Sequence, residues 1–473
     1  MKIGLIRASL PSYFPEKHRV WRAAEKALGA LCDDHGVTLH IASDIPMNGQ
    51  ETQAILNDFA AQGIDFVLLL HGGFTMGDVA RAVAASPFWC GFWSVPEPVR
   101  TGDVQLNNFV SLNMSMSIAR QVRDLSKRPA QWYHGAPESA ALQARLASTL
   151  RAIKAAKALE GARIGVIGGL AMTFYNMEVS TSELRARLGV EVAHHDIHEL
   201  TARMAAVDAA RVFNQVTEMS KAAQVSGVSS AQMFLTARAA LALRDMAEAG
   251  GYDALAVSDW PALQQDPGMH PGAAFTWLEE VHNLPVASEG DVLGAITQLV
   301  ARSVTGRVGY LLDMTEPDLE AGQLLVWHGG GGPLYLADDH GAKWINHPMI
   351  GRGTEEGPIY GAISDLIFRD GPVTLFRVAR NASAYFGMTA RVAGRDPNGF
   401  TGCRGWLEDL TIDGQTASLE DVIATVMAHG LEHHFVLVPG DVAGVLTEFA
   451  SWAGMDILGH VQMRDHLDRR DFT

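Results

Sequence analysis

The chain has 473 residues, 48% of them hydrophobic and 19% charged, a composition that excludes disordered and collagen-like chains. That length leaves room for roughly two to four domains of about 100–200 residues. A formal net charge of −16 argues against nucleic acid or anionic lipid as a partner, since both repel an acidic surface, and favours a small neutral or metal-chelated ligand.

The first elements alternate. "KIGLIRA", "VTLHIAS" and "IDFVLLLHGG" are apolar strand-like runs, separated by helical patterns through "HRVWRAAEKALGALCDDHG" and "ETQAILNDFAAQG". Continuous apolar strands between amphipathic helices predict a parallel sheet covered on both faces. Residues 1–135 are therefore expected to form a doubly wound α/β domain. The N-terminus, "MKIGLIRASLPSYFPEKH", reads as a first strand and not as a signal peptide. No run approaches the ~20 apolar residues that span a bilayer, so the expectation is a cytoplasmic protein.

An alanine-rich segment, 136–159, predicts a linking helix. At "ARIGVIGG" the alternation restarts and continues through "VEVAHHD", "YDALAVSDW" and "LPVASEG", a second doubly wound α/β domain over 160–304. After Gly306 short strands parted by glycine and proline, such as "RVGYLLDMT", "GQLLVWHGGGG", "GPVTLFRVAR" and "HHFVLVPGD", predict a mainly antiparallel β-rich domain over 305–473. The fold class expected is α/β: two parallel-sheet domains, then the β-rich domain.

Several chemical motifs fail on inspection. "GLIRASL" and "GVIGGLAMTFY" place glycine after a strand but contain no GxGxxG, which disfavours a nicotinamide-dependent oxidoreductase. "WHGGGGP" lacks the lysine of a phosphate loop. Cys32, Cys90 and Cys403 are far apart without CxxC spacing, so reduced structural thiols are expected. "AHHDIHEL" gathers His194, His195, Asp196 and His198, yet it sits where a strand hands over to a helix and Asp196 makes a ready cap; the expectation is a solvated surface.

A second set is more coherent. Glu289, Asp313, His328 and the pair His433–His434 each stand at the end of an apolar strand, where a sheet can present them at one rim. Carboxylates with imidazoles suit Mn²⁺, Co²⁺, Fe²⁺ or Mg²⁺. In "SEGD" Asp291 is the natural helix cap, while Glu289 lies on the strand side of the turn.

"LPVASEGDVLGAITQLV", "YLLDMTEPD", "LLVWHGGGGP" and "LEHHFVLVPGDV" resemble, in order and spacing, the metal segments of the L-fucose isomerase and L-arabinose isomerase superfamily, and "DALAVSDWPALQ" resembles the segment before its metal-binding glutamate. The resemblance covers about residues 160–460. It implies an aldose–ketose isomerase with Glu289, Asp313 and His434 as metal ligands and His328 as an additional ligand. His433 would be a non-ligating neighbour. Mn²⁺ is the ion expected first, with Co²⁺ or Mg²⁺ as alternatives.

The implied reaction moves hydrogen between C1 and C2 of an open-chain sugar through a metal-bound enediolate, with Glu289 and Asp313 as the catalytic pair. Trp260 and Asp259 are candidate substrate contacts. Many relatives carry Gln-Cys before that tryptophan, where this chain has Ser258 and Asp259. The resemblance further implies a homo-oligomer, trimeric or hexameric, whose active site lies at a subunit boundary and draws on "HGGFTMGD" (71–78). The alternative from another class is a non-catalytic sugar-binding or sensor protein built from two α/β lobes.

Overall fold

A computed structural model describes residues 1–126, 129–329, 331–347, 360–394 and 399–468. Gly330 of the "WHGGGG" run, and parts of the expected β-rich domain, lie outside the described residues. Two compact units emerge, Met1–Lys154 with Ser451–Gly454, and Ala155–Ala450 with Met455–Thr473.

In the first unit the strands Lys2–Ala8, Thr38–Ile41, Phe66–His71, Trp89–Ser94 and Ala130–His134 form a five-stranded sheet in the order 2-1-3-4-5, with every pairing parallel. Phe66–His71 and Trp89–Ser94 are buried along their whole length, as strands covered on both faces must be. Local chemistry sets the helix ends: Asn48 caps Gly49–Gln62 by accepting from the Glu51 N–H, and Gly63 stops it in the left-handed conformation. Ile6, Leu56, Phe59, Val67 and Val83 belong to this core.

The second unit begins with another parallel sheet, in the order Val286–Ala287, Ala254–Val257, Arg163–Ile167, Glu191–His195. Both parallel sheets match the sequence expectation. The β-rich part is more specific than expected. Tyr310–Asp318, Gln323–His328, Cys403–Ile412, Ala384–Ala393, Gly371–Ala379 and His434–Pro439 pair antiparallel in that order, and His434–Pro439 returns to Tyr310–Asp318. The ring is closed. Tyr310, Leu312, Val326, Leu375, Phe386, Leu407 and Phe435 belong to one buried cluster, with the period-2 spacing that fills a small barrel with alternate side chains.

Short parallel pairings of Gln224–Ser226 with Lys343–Asn346, and of Met269–His270 with Tyr360–Ile367, make the larger sheet mixed. The helix Val292–Thr305 tells how the two parts of this unit join. Eleven of its residues are buried, among them Gln298 and Thr297, so it is a core helix rather than an amphipathic surface one. Its Thr297 hydroxyl accepts the Val378 N–H of the barrel at 3.1 Å. The boundary expected at 304/305 thus falls inside one unit, at the end of this helix.

Candidate metal centre and active site

The site is built around a turn. After the strand Val286–Ala287 the chain passes through a single 3-10 turn, Ser288–Gly290, before the helix starts at Val292. Glu289 sits there at φ 62°, ψ 15°, the left-handed region that a side chain enters only at a cost of about 1–3 kcal/mol. Two bonds hold it: the Glu289 N–H donates to Asp259 Oδ1 at 2.6 Å, and its carbonyl accepts from the Ala171 N–H at 2.8 Å. Gly290 follows at φ +72°, where an added Cβ would lie 2.1 Å from the Gly169 oxygen. The turn therefore depends on that glycine, and it aims Glu289 toward the end of the barrel.

Barrel register supplies the partners. Asp313 lies directly opposite His434 on one neighbouring strand and Trp327 on the other, so the Asp313 and His434 side chains share a face. His434 Nε2 is 3.2 Å from Glu289 Oε2, 3.3 Å from His328 Nε2 and 3.9 Å from Asp313 Oδ1. Among the described residues, the triads with ligand atoms all within 4.8 Å of one another are Glu289–His433–His434 and Asp313–His328–His434. His434 is common to both. The structure thus brings together Glu289, Asp313, His328 and His434, the residues singled out from strand ends.

Whether this donor set suits a cation can be judged from its unsatisfied atoms. Glu289 Oε2 and Asp313 Oδ1 are buried and accept no well-formed hydrogen bond among the described residues. Buried carboxylate oxygens normally have partners, and two such oxygens beside an imidazole nitrogen fit a divalent ion. Electrostatics agree. Burial favours the neutral acid of Glu289, but the imidazoles of His433 and His434 outweigh it and hold Glu289 well below the usual carboxylate range. Burial likewise disfavours a charged His434, yet its hydrogen bond to Asp291, with the Glu289 and Asp313 carboxylates close by, pushes it up to about 10. The pocket of acids calls for a positive charge. Burial lowers His328 from its ordinary value, which favours the neutral ring, the form in which an imidazole can ligate a cation.

Trp260 is half-buried and stacked on Phe174, with ring centroids 5.5 Å apart at 16°. Phe174 in turn meets the His433 ring edge-on at 5.2 Å. This aromatic file leads from Trp260 to His433, whose side chain is 39% exposed, and so lines the open side of the site. Asp259 is placed differently. It is buried, with one oxygen on the Glu289 N–H and the other 3.5 Å from His270 Nε2, so its carboxylate supports the turn from behind. Burial and the Glu289 charge push Asp259 up to about 7.

His194, His195, Asp196 and His198 build no such centre. Asp196 caps the helix Ile197–Ala206, His195 is shared between Glu199 at 2.8 Å and the Tyr252 hydroxyl at 2.7 Å, and the His198 side chain is 75% exposed. The three cysteines are free and buried, and burial pushes Cys90 and Cys403 up to about 12. His71, which opens the 71–78 segment, is buried against Thr75 and Ser115 at 3.0 and 3.2 Å.

The sequence reading missed three participants. Arg377 and Glu432 are buried behind His434, and Asp291 does more than cap its helix. An arginine inside the apolar run "VTLFRVA" was the available signal, because charged residues are seldom fully buried unless paired.

No family model matches the chain. A sulfoquinovose isomerase of Alkalicoccus urumqiensis is 28% identical over 362 residues, 75% of this chain and 77% of that one. Another, of Priestia aryabhattai, is 26% identical over 414 residues, 86% of this chain and 88% of its own length. Among solved structures, an ABC transporter solute binding protein from Agrobacterium vitis bound with alpha-D-tagatopyranose aligns at 13% identity, covering 65% of this chain and 90% of that chain, with a TM-score of 0.17. A superposition that poor carries no argument. Over most of its length the chain is similar to proteins named sulfoquinovose isomerase.

Proposed function

We propose that the chain is an aldose–ketose isomerase of the L-fucose and L-arabinose isomerase type, with sulfoquinovose the first sugar to test. The observation that carries the reading is the pair of buried, unpartnered oxygens, Glu289 Oε2 and Asp313 Oδ1, beside His434 Nε2. The similarity to proteins named sulfoquinovose isomerase supports the reaction class. Glu289, Asp313 and His434 would hold a divalent ion, Mn²⁺ first, with His328 as an additional donor. When bound, the ion would supply Lewis-acid polarisation of the sugar carbonyl and stabilise charge developing on its oxygens.

The protein's own groups handle the proton. Glu289 takes hydrogen from C2 of the open-chain aldose; the C–H electron pair forms the C1=C2 bond and the carbonyl pair moves onto O1. Return of that proton to C1, with the O2 hydroxyl proton passed to O1, gives the ketose. Nothing is oxidised or reduced overall. Asp313, whose Oδ1 faces the same His434 Nε2 at 3.9 Å, is the second carboxylate of the pair. Trp260 and Phe174 offer apolar faces that exclude water from one flank. We propose a homo-oligomer, a trimer or hexamer, as the working assembly, which light scattering tests.

Incubation with sulfoquinovose and a panel of pentoses, hexoses and deoxyhexoses, with Mn²⁺ in D₂O, should place deuterium at C1 or C2 and yield a ketose by proton NMR. EDTA should stop the reaction. Full turnover in exhaustively metal-free protein, or turnover of no sugar in the panel by Mn²⁺-loaded protein, overturns the reading.

A further inference from the structure

An N-cap needs one oxygen, and Asp291 uses Oδ1 for it, accepting the Gly294 N–H at 2.8 Å. Its other oxygen is committed elsewhere. Asp291 Oδ2 lies 3.0 Å from His434 Nδ1 and 2.9 Å from Arg377 Nη1, and Asp291, Arg377 and His434 are all 0% exposed. Arg377 is anchored in turn: Nη1 donates to the His434 carbonyl at 2.9 Å and Nε to Glu432 Oε2 at 3.2 Å. Burying such ions costs several kcal/mol each unless excellent geometry and further hydrogen bonds offset it. Capping alone does not require a charge there, since asparagine or serine caps as well.

A carboxylate only accepts hydrogen bonds. The ring nitrogen facing Asp291 must therefore carry a proton, which leaves Nε2 as the atom turned to Glu289, His328 and Asp313. Behind the adjacent His433 no carboxylate stands at that position among the described residues. Its Nδ1 meets the Asn176 side-chain amide at 3.1 Å, a group able to donate or accept. Two adjacent imidazoles near the same glutamate thus differ in what stands behind them.

We propose that Asp291, backed by Arg377, is a positioning residue that fixes the His434 ring with its proton on Nδ1, so that Nε2 is the nitrogen presented to a divalent cation beside Glu289 and Asp313. The inference rests on the metal reading above and deepens it by assigning the device that selects His434 over His433.

The test is Mn²⁺ binding to the full chain, read from the EPR signal of the free ion, for wild type, Asp291→Asn, His434→Ala and the double variant. Asparagine keeps an oxygen for the cap but brings an N–H donor to the polar group behind His434. Asp291→Asn should weaken Mn²⁺ binding by about 10–100-fold, the usual effect of losing the outer partner of a ligating histidine, and should have no further effect in the His434→Ala background. Unchanged affinity in Asp291→Asn overturns the inference and leaves the metal reading standing, as does an equal loss in both backgrounds. A wild type that takes up no Mn²⁺ overturns the metal reading and this inference with it. Should Asp291→Asn fail to fold by circular dichroism, the question is put to the wild type: in ¹⁵N-histidine-labelled, Zn²⁺-loaded protein, with His434 assigned by its absence from His434→Gln, the proton should reside on Nδ1. A proton on Nε2 overturns the inference.

Discussion

Two stretches of this chain pair neighbouring histidines with acids, and they come to opposite ends. In "AHHDIHEL" the groups are consecutive, and local structure consumes them: Asp196 caps a helix, His195 bonds to Glu199 one helical turn on and to Tyr252, and His198 stands in solvent. At His433–His434 the acids arrive from far along the chain, at positions 289, 291 and 313. Density of ligand-type residues in the sequence therefore says little. A candidate site arises where the fold brings such groups together and, among the described residues, leaves buried oxygens of Glu289 and Asp313 without hydrogen-bond partners.

The largest test of that contrast is Glu289→Gln. If the distant cluster carries the proton transfer, turnover and C2–H exchange should fall together by ~10²–10⁴-fold, the range for loss of a general base, even at saturating Mn²⁺. Near-normal exchange in that variant, measured by NMR in D₂O, removes Glu289 from its role.

Next in size is Arg377→Met. It strips the counter-charge from Asp291 and Glu432, both buried, and breaking a buried pair from one side destabilises by about 3–5 kcal/mol. Urea unfolding of the second unit should show the loss. A change below 1 kcal/mol would mean that the network is solvated.

A buried histidine in the other unit sharpens the comparison. His71 is as buried as His434, but its partners are hydroxyls and burial lowers it to about 3, whereas the acids beside His434 raise that ring to about 10. In the unfolded chain His71 binds a proton near pH 6.5. Its contribution to stability is therefore fully present above about pH 6.5 and is lost as the pH falls toward about 3. Across that window this one group should impose a slope of up to roughly 1.4 kcal/mol per pH unit. His71→Gln should flatten the slope in denaturant titrations between pH 6.5 and 4.5; an unchanged slope would show that the ring protonates in place.

The smallest effect belongs to the consecutive cluster. His195→Ala should leave Mn²⁺ affinity and turnover unchanged and cost about 1 kcal/mol, the worth of its hydrogen bonds to Glu199 and Tyr252. If it abolishes Mn²⁺ uptake while His434→Ala does not, the two stretches have been assigned the wrong way round.

The parallel sheets were legible where a strand is a continuous apolar run, as Phe66–His71 is, and where a helix announces its ends, as Asn48 and Gly63 do. Asp291 as a cap was legible for the same reason. The ends of strands were legible as places for ligands, which is how Glu289, Asp313, His328 and His434 came to be singled out. Closure of the barrel was not: the apolar runs in 371–379 and 434–439 mark buried strands, but not which strand lies alongside.

What the sequence determined by itself, then, is everything with a short range: periodicity, caps, strand ends, and a local pattern that resembles a known set of metal segments. Tertiary structure alone decided the rest. Barrel register put Asp313 opposite His434, a left-handed turn secured by Asp259 aimed Glu289, and burial of Arg377 against Asp291 gave a helix cap its second task. The physical reason is that a side chain's protonation and hydrogen-bonding are set by charges and dipoles within a few ångströms, and at this site such neighbours include Asp291 and His434, 143 positions apart along the chain.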